Sequence, residues 1–530
     1  VISSILYVWL PAKKIYPIGP TYLADFVHAH HPEVRQRLLD LSLIPPDQRR
    51  AALDHALNEL EPELVCFSWR DIQIFAPHEG DPSLKYAFNF YYSSNPLKKL
   101  TASIKGLGYL WRYYRNIQDC VSYPWQVRRR RPEAKLMIGG GAFGVFADQL
   151  IGRLPPGMVG VLGEGEEAVL KMVEGKPLGD ERIVCVDRGE VRHGVKGAYL
   201  PLESFEVDLP YLESIFPQHP AYHGEFIGIQ TKRGCPYDCA FCEYPYLEGK
   251  KVRYRPPAAV VGELGQFYRR WGARRFWFTD AQFFTGKESF PQCIEIMERI
   301  IAEQMRIEWS GYIRTSLITP QLAGLMVRSG LGDLEVSITS GSQTVINSLH
   351  MGFSLEKLYD GCRYLKEAGF TGRLILNYSL NSPGDSEAGL MDSIASYKKI
   401  AAIMGEAQVC PMLFFLGVQP HTDFEQRLLD EGYLYQGYNP LSLNPLAISK
   451  MLYNPKPLSG LIAKACIAAW DKAAWREAAD RGTSVAQLYA DESLFAGVVE
   501  QSGKAALINL EGILKERLKH EAAKPAPSSR

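Results

Sequence analysis

The sequence predicts an α/β protein of two parallel-sheet units in tandem, followed by a helical C-terminal region. Three observations carry this. Apolar runs of strand length alternate with helix-patterned stretches over residues 3–175 and again over 226–438. In the first unit, glycine turns follow two of the strands, Gly139–Gly141 and Gly163-Glu164-Gly165-Glu166. In the second, the loop after the first strand reads TKRGCPYDCAFCEYPY (Thr231–Tyr246) and sets Cys235, Cys239 and Cys242 in CxxxCxxC spacing.

In the first unit, Ser4–Leu10, Val34–Leu39 and Leu64–Trp69 read as strands, with helices near Pro20–His30 and Gln48–Leu60. Lys135–Ile138 and Met158–Leu162 complete the set and lead into the glycine turns. Strands joined through helices wind right-handedly into a parallel sheet, and ligands bind beyond its carboxyl ends. Both glycine turns fall there, where missing side chains let a large ligand approach the backbone. Arg70, just past the third strand, reads either as a ligand contact or as a surface arginine. About sixty residues then replace a usual short connection. This insertion (residues 71–131) carries Tyr86–Tyr92 and Tyr109–Tyr114, and it reads equally as a lid or as an extra helical pair. Arg128–Arg131 reads as a solvated helix end.

Residues 176–225 read as a connector with a small hairpin (Ile183–Val186, Val191–His193). Residues 226–438 supply six strand–helix units, near 226–231, 275–279, 307–313, 334–338, 373–380 and 407–416, which make a barrel two units short of eight. Residues 439–519 are helical, and 520–530 form a polar, Pro-containing tail expected to be disordered.

Composition bounds the function classes. Lys+Arg and Asp+Glu both number 59, so no global charge argues for nucleic acid or an anionic membrane. The apolar fraction of 46% is ordinary, and no run of about 18 apolar residues suggests a membrane span. Aromatics at 11% suit a flat or greasy ligand or a large core. With no secretory signal read and the remaining seven cysteines scattered singly, a reducing cytoplasm is expected.

Three thiolates on one short loop hold a metal or an iron–sulfur cluster. A four-iron cluster takes four protein ligands when fully ligated, so three leave one iron open. The rival reading is structural zinc, with His219 or His223 as fourth ligand.

The cysteine loop, with a preceding apolar strand (Phe226–Gln230) and Phe241 before the last cysteine, resembles the cluster loop of radical S-adenosylmethionine enzymes. The first unit is similar to the Rossmann-like cobalamin-binding domain that precedes the barrel in one large subfamily. The order is kept: Pro17 and Gly19 at a helix start, Asp40-Leu41 ending a strand, Gly-Gly after another, then Gly-Glu-Gly. The resemblance implies a [4Fe-4S] cluster on Cys235, Cys239 and Cys242, with the fourth iron chelated by S-adenosylmethionine. It implies S-adenosylmethionine contacts at Phe241, Asp280, Gln282, Arg314 and Ser340, and cobalamin contacts at Pro17, Gly19, Ser68, Arg70, Gly139, Gly140, Gly141, Gly163, Glu164 and Gly165. Two departures stand out. Thr339 replaces the glutamate of the family's Glu-Ser-Gly-Ser (here Thr339–Ser342). No DxHxxG follows the first strand, so cobalamin is expected base-off, without a histidine from Pro11–Pro17.

The activity implied is that of a cobalamin-dependent methyltransferase. A 5′-deoxyadenosyl radical removes hydrogen from an unactivated carbon, which then receives the methyl group of methylcobalamin. A small, apolar or planar substrate and an external donor of flavodoxin or ferredoxin type go with this reading, and nucleic acid does not. The alternatives are a cobalamin-bound cyclase or oxidoreductase, and a non-catalytic iron–sulfur or zinc protein. A transfer-RNA methylthiotransferase would carry three further clustered cysteines, whereas Cys66, Cys120 and Cys185 are widely spaced.

Overall fold

The computed structural model describes residues 2–70, 82–179, 182–187, 190–194, 199–203, 205–442, 444–488 and 492–522. The first part of the insertion (71–81), Arg188-Gly189 of the expected hairpin turn and most of the expected tail lie outside them.

The first sheet begins with β1 (Ser4–Trp9), β2 (Arg35–Asp40), β3 (Leu64–Ser68), β4 (Lys135–Gly139) and β5 (Val159–Val161). All five run parallel in the spatial order β2-β1-β3-β4-β5. β1 and β3 are buried along their whole length, as continuous apolar strands covered on both faces must be. The chain turns to opposite sides of the sheet after β1 and β3, which opens a crevice at their carboxyl ends.

The connector is not separate from this unit. β6 (Ile183–Asp187) and β7 (Glu190–His193) form the expected hairpin, but it pairs antiparallel onto β5 and makes the sheet seven-stranded. The first unit therefore runs past the expected boundary at 175, to residue 193. Sequence patterning identifies a hairpin but not the edge it docks on.

The insertion is a helical pair, Pro82–Tyr92 and Pro96–Arg130. The second helix packs its C-terminal third (Ile117, Cys120, Val121, Val127) into the core on one face of the first sheet. The first helix packs elsewhere: Phe88 meets Phe415 and Trp470, near the end of the barrel and in the C-terminal helices.

The second unit opens with β8 (Ile227–Ile229). The ribbon β9 (Lys232–Arg233) and β10 (Arg253–Tyr254) then brackets the cysteine loop. β11 (Arg275–Phe278), β12 (Glu308–Tyr312), β13 (Leu331–Thr339), β14 (Leu374–Ser379) and β15 (Val409–Phe414) follow. With β8 they make a six-stranded, all-parallel open sheet in sequence order. Such a sheet leaves β15 as a free edge. Helix Glu492–Ala522 covers it, so closely that a Cβ on Gly503 would stand 1.7 Å from the Pro411 carbonyl oxygen. The C-terminal helices thus complete the partial barrel.

The two units share one core. A single apolar cluster runs from one face of the first sheet through the barrel to the C-terminal helices. At the join, the Tyr22 hydroxyl donates to Glu263 (3.0 Å), which pairs with Arg255 at 2.7 Å.

Candidate active site between the two sheets

The cysteine loop is held by its backbone. Gly234 sits at φ +93°, and a Cβ there would lie 2.4 Å from the Lys251 carbonyl oxygen, so only glycine lets the chain turn off β9. The Gly234 N–H donates to Glu248 (3.0 Å), the Cys235 N–H to the Gly249 carbonyl (3.0 Å) and the Cys242 N–H to that of Cys239 (3.0 Å). Phe241, half buried, packs on the main core.

Burial pushes all three thiols up, that of Cys242 furthest. Arg314 counters this at Cys239 and Cys235. Its Nη2 lies 3.9 Å from Cys239 Sγ, its Nη1 donates to the Met351 carbonyl (2.7 Å), and its guanidinium stacks 3.5 Å above Tyr237. Such thiols stay protonated until a metal displaces the proton. Among the described residues, no three His, Cys, Asp or Glu side chains close on one point as a single tetrahedral ion requires. Three cysteines on one short loop are a donor set that an iron–sulfur cluster takes, each thiolate on its own iron. His219 and His223, the fourth ligands of the zinc reading, pack instead on Trp271 and on each other.

The other barrel residues divide in two. Asp280 is fully committed: it accepts from the Thr231 N–H (2.7 Å), the Lys232 N–H (3.1 Å) and the Lys232 ammonium (3.1 Å), all deeply buried. It holds the strand leading into the cysteine loop and has no lone pair aimed outward. Ser340 is likewise turned inward, to Ser393 and the Ser342 N–H. Gln282 is different, because its Oε1 is buried without a partner just past β11. The Thr315 Oγ1 past β12 and the Gln419 Oε1 past β15 are in the same condition. Buried polar atoms left unpaired at strand carboxyl ends are what a polar ligand would satisfy. Nothing in the sequence distinguishes Thr315 or Gln419 from other polar loop residues. Thr339, the departure from the family pattern, adopts φ +65° while buried, an unusual conformation for a β-branched residue.

Beside the two ends of this loop, the first sheet opens a cavity of about 230 Å³. Gly19, Ser68, Gly139–Gly141 and Gly163–Glu166 line it from the first unit; Gln230, Arg233, Leu247, Glu248 and Thr279 close it from the second. Pro17 stands one turn back, as the N-cap of helix Ile18–His30. The glycines differ in purpose. A Cβ on Gly140 (φ +96°) would lie 2.6 Å from the Trp69 carbonyl oxygen, and one on Gly163 (φ +98°) 2.4 Å from that of Leu247. Both are required by the chain itself. A Cβ on Gly19 would meet nothing closer than Ser68 Oγ at 3.9 Å, so its missing side chain is free space in the cavity. Arg70 is exposed and close enough to Tyr244 to oppose the burial that raises its phenol.

The glutamates of Gly163–Glu166 do not face the cavity as free acceptors. Arg253 pairs with Glu164, and Arg233 with Glu166 at 2.6 Å. Burial opposes the Glu166 charge, yet Arg233 holds the carboxyl below its usual range. The turn after β5 is thereby bolted to the β9–β10 ribbon that carries the cysteines. Glu248 lacks an arginine this close, and burial pushes its carboxyl up to about 7.

Residues 229–395 match the model of the Radical SAM superfamily. This segment is a radical SAM domain. Two solved structures share the architecture that surrounds it. The cobalamin-dependent S-adenosylmethionine radical enzyme OxsB, with aqua-cobalamin bound, superimposes with a TM-score of 0.66 at 14% identity, over 98% of this chain and 76% of that one. The radical S-adenosylmethionine methyltransferase TsrM of Kitasatospora setae, with tryptophan substrate and an S-adenosylmethionine analogue bound, gives 0.60 at 17% identity, over 81% and 76%. The fold is therefore that of the cobalamin-binding radical SAM enzymes. In sequence, an uncharacterized methyltransferase of Pyrococcus horikoshii is 24% identical over 48% of this chain and 57% of its own length. The bacteriochlorophyllide d C-12(1)-methyltransferase of Chlorobaculum tepidum is 23% identical over 34% and 39%. The chain thus spans roughly half the length of such relatives. Among the described residues, no helix is long and apolar enough to cross a membrane.

Proposed function

We propose that this protein is a cobalamin-dependent radical SAM enzyme that methylates an unactivated carbon of a small substrate. One observation carries the reading. The glycine-lined cavity at the carboxyl ends of β1, β3, β4 and β5 is closed by Gln230, Arg233, Leu247 and Glu248, which flank the cysteine loop of the second unit on both sides in sequence. When bound, the cluster and S-adenosylmethionine supply hydrogen-atom abstraction, and methylcobalamin supplies the methyl group.

The chain's own residues do the rest. Cys235, Cys239 and Cys242 hold the cluster and leave one iron open. Arg314 places its charge beside Cys239 and offsets the excess negative charge of three thiolates. Gln282, Thr315 and Gln419 offer unpaired polar atoms for S-adenosylmethionine. Gly19, Ser68 and Gly139–Gly141 form the cobalamin cavity. The cavity measures about 230 Å³, and these residues would hold cobalamin there. Tyr16, in the first loop, is buried against Phe267 and Trp271, and the loop itself contains no histidine to offer cobalt. Electrons come from an external flavodoxin- or ferredoxin-type donor.

The deciding experiment is anaerobic reconstitution with iron, sulfide and cobalamin, followed by assay with methyl-labelled S-adenosylmethionine and candidate apolar or planar substrates. About four irons and one cobalamin per chain are expected. Comparable amounts of 5′-deoxyadenosine and S-adenosylhomocysteine should accompany label in the product. Turnover giving 5′-deoxyadenosine without S-adenosylhomocysteine or label replaces methylation by cyclisation or oxidation. Stoichiometric zinc without iron rejects the radical reading altogether.

A further inference from the structure

The inserted helix Pro96–Arg130 carries a feature that none of this chemistry uses. Leu97, Leu100, Ile104, Leu107 and Trp111 recur at intervals of three and four and lie on one helical face. Each is 57–73% exposed. The opposite face is the one that packs: Ala102 is buried, Gly106 approaches Tyr86, and Tyr109 packs on Tyr86 at 5.5 Å. The apolar stripe thus points directly away from the protein. A soluble surface rarely shows a contiguous row of this kind without a partner.

Charge identifies the partner. From residue 82 to residue 118 there is no Asp or Glu, while Lys98, Lys99, Lys105, Arg112 and Arg115 lie on this helix. Lys98 and Lys105 are spaced by seven and lie along one flank, while the Arg112 guanidinium sits over Tyr109. The first turn carries two lysines and no acid, the reverse of what the helix dipole favours, so this charge is not there for helix stability. A second copy of the chain would set one cationic flank near another. Trp111 stacks on Tyr114 beside the stripe, and Phe90 and Tyr91 are exposed on the companion helix. Aromatic rings of this type belong at the polar–apolar boundary of a bilayer.

We infer that the first half of helix Pro96–Arg130 is a docking surface for an anionic lipid bilayer, lying in the headgroup plane with Leu97, Leu100, Ile104, Leu107 and Trp111 inserted. The balanced net charge of the chain conceals this local excess. The inference is independent of the reaction proposed above.

The test is co-sedimentation of the full reconstituted chain with vesicles of phosphatidylcholine, alone or mixed with phosphatidylglycerol. Binding to the mixed vesicles is expected, weakening at least ten-fold on pure phosphatidylcholine and falling with added salt. The double variant L100E/L107E should lose binding at least ten-fold while its melting temperature and iron content stay unchanged, since both side chains are in solvent. The variant K98Q/K99Q/K105Q should lose the preference for anionic lipid. Absence of vesicle binding overturns the inference, as does binding that L100E/L107E leaves intact. A concentration-dependent dimer abolished by L100E/L107E, without vesicle binding, overturns it in favour of an interface between copies. Polyanion binding lost in the lysine variant but retained in L100E/L107E overturns it in favour of a nucleic-acid surface.

Discussion

The two strand ends that face each other at the centre of this protein are built on opposite principles. On the first sheet the carboxyl ends are cleared: Gly19, Ser68 and the Gly139–Gly141 turn surround open space. On the barrel the ends are crowded with buried charge. Lys232–Asp280 and Arg255–Glu263 are almost fully inaccessible, and the Arg233–Glu166 and Arg253–Glu164 pairs join the two sides. A cavity for a large ligand needs atoms to be absent. A loop that must keep three thiols in one arrangement needs its neighbours fixed, and buried charges held against one partner restrict the geometries available to it. Emptiness and rigidity are thus divided between the two units.

The comparison breaks most completely at the cysteines. Replacing Cys235, Cys239 and Cys242 together with Ala should remove all iron and all 5′-deoxyadenosine formation, while the cobalamin content measured by absorbance is retained. Loss of both cofactors together would mean that the two sides are not separable.

Next comes the buried charge. Asp280→Asn leaves the Lys232 ammonium without its counterion in the interior and should destabilise the fold by about 3–5 kcal/mol in denaturant titration. Lys232→Met in the Asp280→Asn background should recover part of that loss. A change below about 1 kcal/mol in the single variant would show that the pair does not fix the loop.

On the cleared side the effect is on binding. Gly19→Leu places its side chain in the cavity without a backbone clash and should weaken cobalamin binding at least ten-fold with little change in melting temperature. Gly140→Ala, strained at φ +96° and pressed on Trp69, should lower stability as well, by about 1–3 kcal/mol. Equal behaviour of the two variants would remove the distinction drawn between these glycines.

The smallest expected effect is on pH dependence. Burial raises Asp25 and Glu248 to about 7, well above an unfolded carboxyl. Between pH 4.5 and 7 the folded state therefore binds more protons than the unfolded one. The stability these groups contribute is complete below that window and is lost as pH rises through it. Apo-protein stability should decline from pH 5 to pH 8, and Asp25→Asn with Glu248→Gln should flatten the decline. An unchanged slope would place both groups in water.

Much of this was legible in the chain because it is local. The period of apolar residues marks strands and helices over a few positions, and six strand–helix repeats imply a parallel sheet whatever their contacts. The CxxxCxxC loop announces itself by spacing, the glycine turns only by their order among the strands, and the position of each at a strand end follows from chain order.

What only the tertiary structure decided is pairing across distance. Glu164, expected at a cofactor, grips Arg253, 89 residues away. Asp280 is spent on Lys232, 48 residues back. The Ile183–His193 hairpin extends the first sheet rather than bridging two units, and helix Glu492–Ala522 seals the edge of β15. A sequence shows that a carboxylate is present and which face of an element it occupies. Which of several distant arginines or lysines it meets depends on how whole sheets stack, and that is fixed by the shared core, where buried charge must find a partner wherever packing brings one.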